Sequence, residues 1–282
     1  MKRIVMMAAA LLLIGFSGCA SAATSPETMK EPKGQKIPAY YYAPYADADT
    51  VKKNLQAAGF EVLAAYKPSK NTESIVITCP GLKKAASKPT RGFAAVMRVL
   101  VDNDHKRVAY TNPIYFEKTF LEDDYNHAIA AKVAGKLHKA LGDAKPSPDT
   151  YDYDDLSGYH FMMGMPYYED FYELAEGKNA ELLSKLKSYK GGKAVVFTLD
   201  LGNGATLVGV DLGDKINKFV EKIGTQNAEL LPYTVLIENG MATALAAKYY
   251  IAVSYPTLSM GEFMTIATVP GDIEKALEKP FK

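Results

Sequence analysis

Val99-Leu100-Val101-Asp102-Asn103 and Val235-Leu236-Ile237-Glu238-Asn239 are one five-residue pattern met twice. At the same spacing Ala131 meets Ala267, Val133 meets Val269 and Gly135 meets Gly271. Lys139-Ala140-Leu141 then meets Lys275-Ala276-Leu277, so the match runs from 99 to 141 without a gap. Self-similarity at a fixed spacing marks a copied structural unit, and it sets the architecture before any single element is assigned.

Around each quoted stretch the pattern reads as a hairpin. Val96 to Val101 is rich in β-formers, Asp102-Asn103-Asp104 carries turn chemistry, and Arg107 to Phe116 reads as the return strand. The second copy has Tyr233 to Ile237, a turn at Glu238-Asn239-Gly240, and Ala242 to Tyr255. Asn-Gly suits the positive φ angles of a tight turn. A helix follows each hairpin, 124–141 and 260–277, the latter kinked or restarted at Pro270.

Upstream, the first copy predicts a helix over 47–58 stopped at Gly59, strands at 60–66 and 74–78, and a short helix at 81–87. The second predicts a first strand at His160–Met165, a helix over 168–188 and strands at 194–199 and 206–210. These flank Gly202-Asn203-Gly204, and an amphipathic helix follows over 214–223. The expected fold class is α+β, with two tandem, similar two-layer units. Each reads β-α-β-β-α-β-β with a trailing helix, and the two pack as a pseudo-dimer. Their ranges are 38–143 and 158–282, with 144–157 as a Pro- and Asp-containing linker.

Several of these residues carry a family resemblance. Gly59-Phe60-Glu61-Val62, a strand ending at Cys79-Pro80, and Leu230-Leu231-Pro232-Tyr233-Thr234-Val235 together resemble the DUF-302 family, a domain of unknown function. The resemblance covers residues 40–120 and 160–256 and implies a small α+β domain that tends to pair, with no established reaction.

The start of the chain predicts export. Met1-Lys2-Arg3 is basic, and Ile4 to Phe16 is an apolar run well short of the ~20 residues a spanning helix needs. Phe16-Ser17-Gly18-Cys19 resembles a lipoprotein lipobox, making 1–18 a signal peptide, Cys19 the lipidated residue and 19–37 a solvated tether. Cleavage after Ala20-Ser21-Ala22, giving a soluble periplasmic protein, is the alternative. By resemblance to lipoprotein sorting, Ala20 points to a periplasm-facing outer-membrane lipoprotein, its membrane partner reached through the N-terminal lipid.

Composition narrows the function classes. The 282 residues are 48% hydrophobic and 23% charged, as a chain with a real core requires. Lys plus Arg (33) balances Asp plus Glu (32), without the basic excess that nucleic acid binding uses. Two cysteines exclude a disulfide framework.

Candidate chemistry is sparse. His160-Phe161-Met162-Met163-Gly164-Met165 gathers soft ligands that suit Cu(I), so His160, Met162, Met163 and Met165 form a candidate metal set. On a strand, alternation splits that set between two faces, and the same residues equally make a core strand. Tyr153, Tyr167 and Tyr168, within acidic-aromatic stretches, form a candidate binding surface. Cys79, after Ile75-Val76-Ile77, is the one thiol left after lipidation and reads as buried at a strand end. Glu122-Asp123-Asp124 reads as a helix start, and His127 and His138 lie about 16 Å apart on one helix, too far to share a metal. No P-loop, nucleophile elbow, dinucleotide fingerprint or zinc spacing occurs. The expectation is a non-enzymatic module with no cofactor that binds a small ligand or a periplasmic protein, the alternative being a periplasmic copper-binding protein.

Overall fold

Strands buried on both faces read as unbroken apolar runs, and both quoted stretches lie in such strands. A computed structural model describes residues 30–202 and 204–282, with 225–227 by their backbone alone. The signal peptide, Cys19, the first part of the tether and Asn203 lie outside the described residues. The first half contains β1 (Lys36–Pro38), β2 (Tyr40–Pro44), α1 (Ala48–Ala57), β3 (Glu61–Ser69), β4 (Thr72–Thr78) and α2 (Pro80–Ala85). It continues through β5 (Met97–Asp102), β6 (Arg107–Thr111), α3 (Pro113–Leu121), α4 (His127–Leu141), β7 (Lys145–Pro146) and β8 (Thr150–Asp152). The second half contains β9 (Tyr172–Glu176), α5 (Asn179–Ser188), β10 (Val195–Asp200), β11 (Thr206–Val210), α6 (Asp214–Asn217) and α7 (Phe219–Ile223). It ends with β12 (Tyr233–Glu238), β13 (Met241–Ala244), α8 (Ala247–Ser254), α9 (Met260–Thr265) and α10 (Val269–Glu278).

The fold is α+β, and its two main sheets are antiparallel throughout. Their strand orders are β3-β4-β5-β6-β2-β7 and β10-β11-β12-β13-β9. Apart from the short β7, the second order repeats the first, element for element. The contacts between halves are reciprocal as well. The 3-10 turn at Gly92–Ala95, just before β5, packs on β11 and β12, while the turn at Thr225–Leu230, before β12, packs on β4 and β5. Ser74 Oγ donates to Leu231 O at 2.7 Å, and Arg98 Nη2 donates to Pro232 O at 3.0 Å. Ser74 and Arg98 share a sheet face, so the alternating Ile75, Ile77, Val99 and Val101 point to the opposite face, and all four are buried.

Tyrosine supplies much of the join. Tyr40 stacks on Tyr255 at 6.0 Å, and the Tyr115 hydroxyl donates to Val253 O at 2.9 Å. A large ring with a polar tip fills volume and satisfies a carbonyl in one step.

The structure departs from the sequence reading in several places. The return strands stop early: Arg107–Phe116 ends at Thr111 and Ala242–Tyr255 ends at Ala244, each giving way to a helix. Asn112 accepts from Ile114 N, and Pro113 takes the first helical position, where no N–H is needed. α3 and α8 are buried nearly all round, which removes the 3.6-residue period that would have announced them. The match is not gap-free either. Asp102 pairs with Arg107 but Glu238 with Met241, so the second hairpin loop is two residues shorter.

The first strand of the second sheet is β9, not His160–Met165, and the helix expected over 168–188 begins only at Asn179. The helix expected over 214–223 is the pair α6 and α7, and that over 260–277 is α9 and α10, with Pro270 in the first turn of α10. The 144–157 stretch is no open linker: β7 pairs with β2, β8 pairs with β1, and Tyr153 and Leu156 are fully buried. The tether is correspondingly shorter, because Lys36–Pro38 is β1 and Ile37 is buried.

Candidate functional site

The segment between the 3-10 turn at Tyr153–Gly158 and β9 is a loop nailed down at both ends. At its start the Tyr159 hydroxyl donates to Ala252 O at 2.9 Å, and Phe161 stacks on Phe263 at 5.9 Å. At its end the Tyr168 hydroxyl donates to Thr90 O at 2.6 Å, and the Tyr168 ring packs on Phe120, Phe171 and Tyr249. Between these anchors the chain reverses. Met165 N bonds Met162 O at 3.0 Å, Tyr167 N bonds Asp170 Oδ2 at 2.8 Å, and Gly164 turns with φ +84°.

The crest of this loop carries apolar side chains into solvent. Met163 is 96% exposed, Tyr167 49% and Met162 44%. His160 lies flat on the Tyr167 ring at 4.1 Å with 9° between planes, and its Nε2 meets Met165 O at 2.9 Å. A carbonyl only accepts, so Nε2 is the donor in this contact, which leaves Nδ1 as the other ring nitrogen. His160, Met163, Met165, Tyr167 and Asp170 line one shallow concavity of ≈ 720 Å³.

The loop corrects the strand-based splitting of the ligand set, since His160, Met163 and Met165 meet at one depression; Met162 is not among its lining residues. Of the candidate surface tyrosines only Tyr167 is exposed. Tyr153 is 0% exposed, bonded to Glu31 Oε1 at 2.7 Å and covered by Lys118 Nζ at 4.5 Å from its ring centre, and Tyr168 is 3% exposed. Those two rings are structural. Cys79 is buried, at the residue that precedes α2. Glu122 and Asp124 meet Arg91, at 2.8 and 3.4 Å, and Asp124 also meets Lys88. Burial and the neighbouring Glu169 push the Glu122 carboxyl up to about 7. Among the described residues no group of three or more His, Cys, Asp and Glu is placed to hold a metal ion, and no helix is long and apolar enough to cross a membrane.

Sequence reasoning missed two buried carboxyls. Glu117 in α3 and Glu229 before β12 are each pushed up to about 8, with burial as the leading cause. Both Glu117 oxygens and Glu229 Oε2 lack a hydrogen-bond partner among the described residues. Aligning the repeat more closely would have flagged them. Counted from the starts of α3 and α8, Glu117 falls opposite Ile251, and counted back from β5 and β12, Glu229 falls opposite Phe93. Compared with family models, curated proteins and solved structures, the chain finds no match in any of the three.

Proposed function

We propose that this chain is an exported, lipid-anchored, non-enzymatic binding module, built from two DUF-302-like units joined as a covalent pseudo-dimer. Its recognition face is the loop crest at Met162, Met163 and Tyr167, which meets a periplasmic protein or small ligand. The observation that carries this reading is the combination of a pinned base with solvent-exposed methionine and tyrosine at the crest. Methionine adapts to varied surfaces, and a pre-ordered loop loses little entropy on binding.

Two experiments test the proposal. Labelled palmitate is expected to enter the chain and to be lost in Cys19→Ser; incorporation that survives this change ends the anchoring claim. A photo-reactive residue at position 163 is expected to give discrete adducts in the membrane fraction. The same residue at the exposed Lys70 gives none, and identical patterns from the two positions reject the face.

The same concavity favours a second reading, Cu(I) held by His160 Nδ1 with the thioethers of Met163 and Met165. Cu(I) affinity that falls at least ten-fold in a Met163→Leu, Met165→Leu variant supports it. Affinity unchanged by those replacements removes it.

A further inference from the structure

A second cavity, of ≈ 380 Å³, opens where the halves meet. The first half contributes Tyr42, Arg107 and Asp149 to its wall, and the second contributes Tyr255, Thr257 and Leu258. The Arg107 guanidinium lies 3.9 Å over the Tyr42 ring centre, so its plane is held by stacking. Asp149 is 8% exposed, and its Oδ1 accepts from Thr257 Oγ1 at 2.5 Å. Burial raises its pKa, a lift that Thr257 and Arg107 oppose. Glu262 sits at the rim with its carboxylate engaged by Ser259. One fixed cation and one buried carboxyl therefore share a space that also has apolar wall.

The repeat supplies an internal control for what the fold itself requires. Arg107 ends the first hairpin where Met241 ends the second. Glu229 feels the charges of Arg107 and Asp149 from within the protein, where the other half has the buried Phe93. Met and Phe satisfy the fold at these positions. The polar residues cost desolvation that the repeat-related Met241 and Phe93 avoid, and a seam between units is a common place for ligands.

We propose that this cavity binds a small zwitterion, a free α-amino acid with an apolar side chain or a short apolar peptide whose two charged ends both enter it. Arg107 takes the carboxylate in a two-pronged contact, Asp149 takes the ammonium, and Leu258 with the tyrosine rings receives the side chain. A zwitterion presents each group with its opposite charge, whereas a ligand of one sign brings a like charge up to either Arg107 or Asp149, which is unfavourable.

Calorimetric titration of the full chain in detergent with L-leucine, L-leucyl-L-leucine, N-acetyl-L-leucine and L-leucinamide tests this. L-leucine or the dipeptide is expected to bind, with each blocked derivative at least ten-fold weaker. Binding of leucine identifies the free amino acid, and binding of the dipeptide alone identifies a short peptide. Asp149→Asn is expected to weaken the zwitterion at least ten-fold, and Arg107→Lys, which keeps the charge without the fork, to weaken it as well. No heat from any probe, blocked derivatives binding as well as leucine, or folded variants of unchanged affinity overturns the proposal.

Discussion

The Tyr66 hydroxyl donates to Asp211 Oδ1 at 2.6 Å, joining edge strand β3 of one sheet to the residue that follows β11 of the other. Asn217 Nδ2 reaches both, at 2.5 Å to the hydroxyl and 3.0 Å to the carboxylate. Burial and the carboxylate hold the Tyr66 hydroxyl far above the usual tyrosine range, so it stays a donor at any physiological pH. Removing a hydrogen bond to a charged acceptor costs about 1.5–3 kcal/mol. Tyr66→Phe is expected to destabilise the fold by that much, seen as a lower urea midpoint with an unchanged m-value. A midpoint equal to the parent's means the joint is not held there.

Glu117 gives the chain an acid-favouring stability. Unfolded, it loses its proton near the ordinary 4.5; folded, it keeps it up to about 8. The folded state binds more protons across that window, so stability is highest below about 4.5, falls as pH rises, and levels off above about 8. Glu229 adds a fall of the same sign. Replacing Glu117 by Leu, close to the Ile251 found opposite, is expected to raise stability at pH 8 by a few kcal/mol. Denaturation from pH 5 to 8 checks it: the variant's profile should be flatter, and an unchanged slope contradicts the assignment.

Gly92 touches the opposite sheet so closely that a methyl group has no room. A Cβ there would stand 2.4 Å from Leu236 Cδ1 and 3.0 Å from Leu201 Cδ1, both on buried side chains. Gly92→Ala is expected to cost about 1–3 kcal/mol through overpacking. Combining it with Leu236→Ala should cost less than the two changes summed, because the second makes space for the first. Simple additivity in thermal unfolding argues against the contact.

Cys79 tests the burial of the end of β4, an interior strand of the first sheet. At 3% exposure its thiol should resist alkylation in the native protein and react only as the chain unfolds. Labelling that rises with urea along the unfolding curve is the expected result; rapid labelling in buffer means the strand end is open.

The α+β class and the central hairpins were legible because they rest on short-range signals. Asn239 and Gly240, both at positive φ, turn β12 into β13 as their chemistry predicts. α3 and α8 were hidden for the opposite reason, since a helix enclosed on every side shows no polar stripe and its apolar run imitates a strand. The apolar content of His160–Met165 favours a strand, although Gly164 at φ +84° marks a reversal. The burial of Tyr153 and Tyr168 was invisible because it depends on partners such as Glu31 and Thr90, more than seventy residues away. The depression at His160 depends on the loop's two long-range anchors, which no local pattern encodes.

Two like sheets carried on a single polypeptide escape a constraint that binds an assembly of identical subunits. In such an assembly every substitution appears twice, so an acid useful on one side burdens the other with the same unpaired charge. Here Glu229 stands opposite Phe93, and Glu117 opposite Ile251. Covalent joining lets each half carry a costly acid that its counterpart lacks, Glu117 in the first and Glu229 in the second, so that equivalent positions are free to diverge.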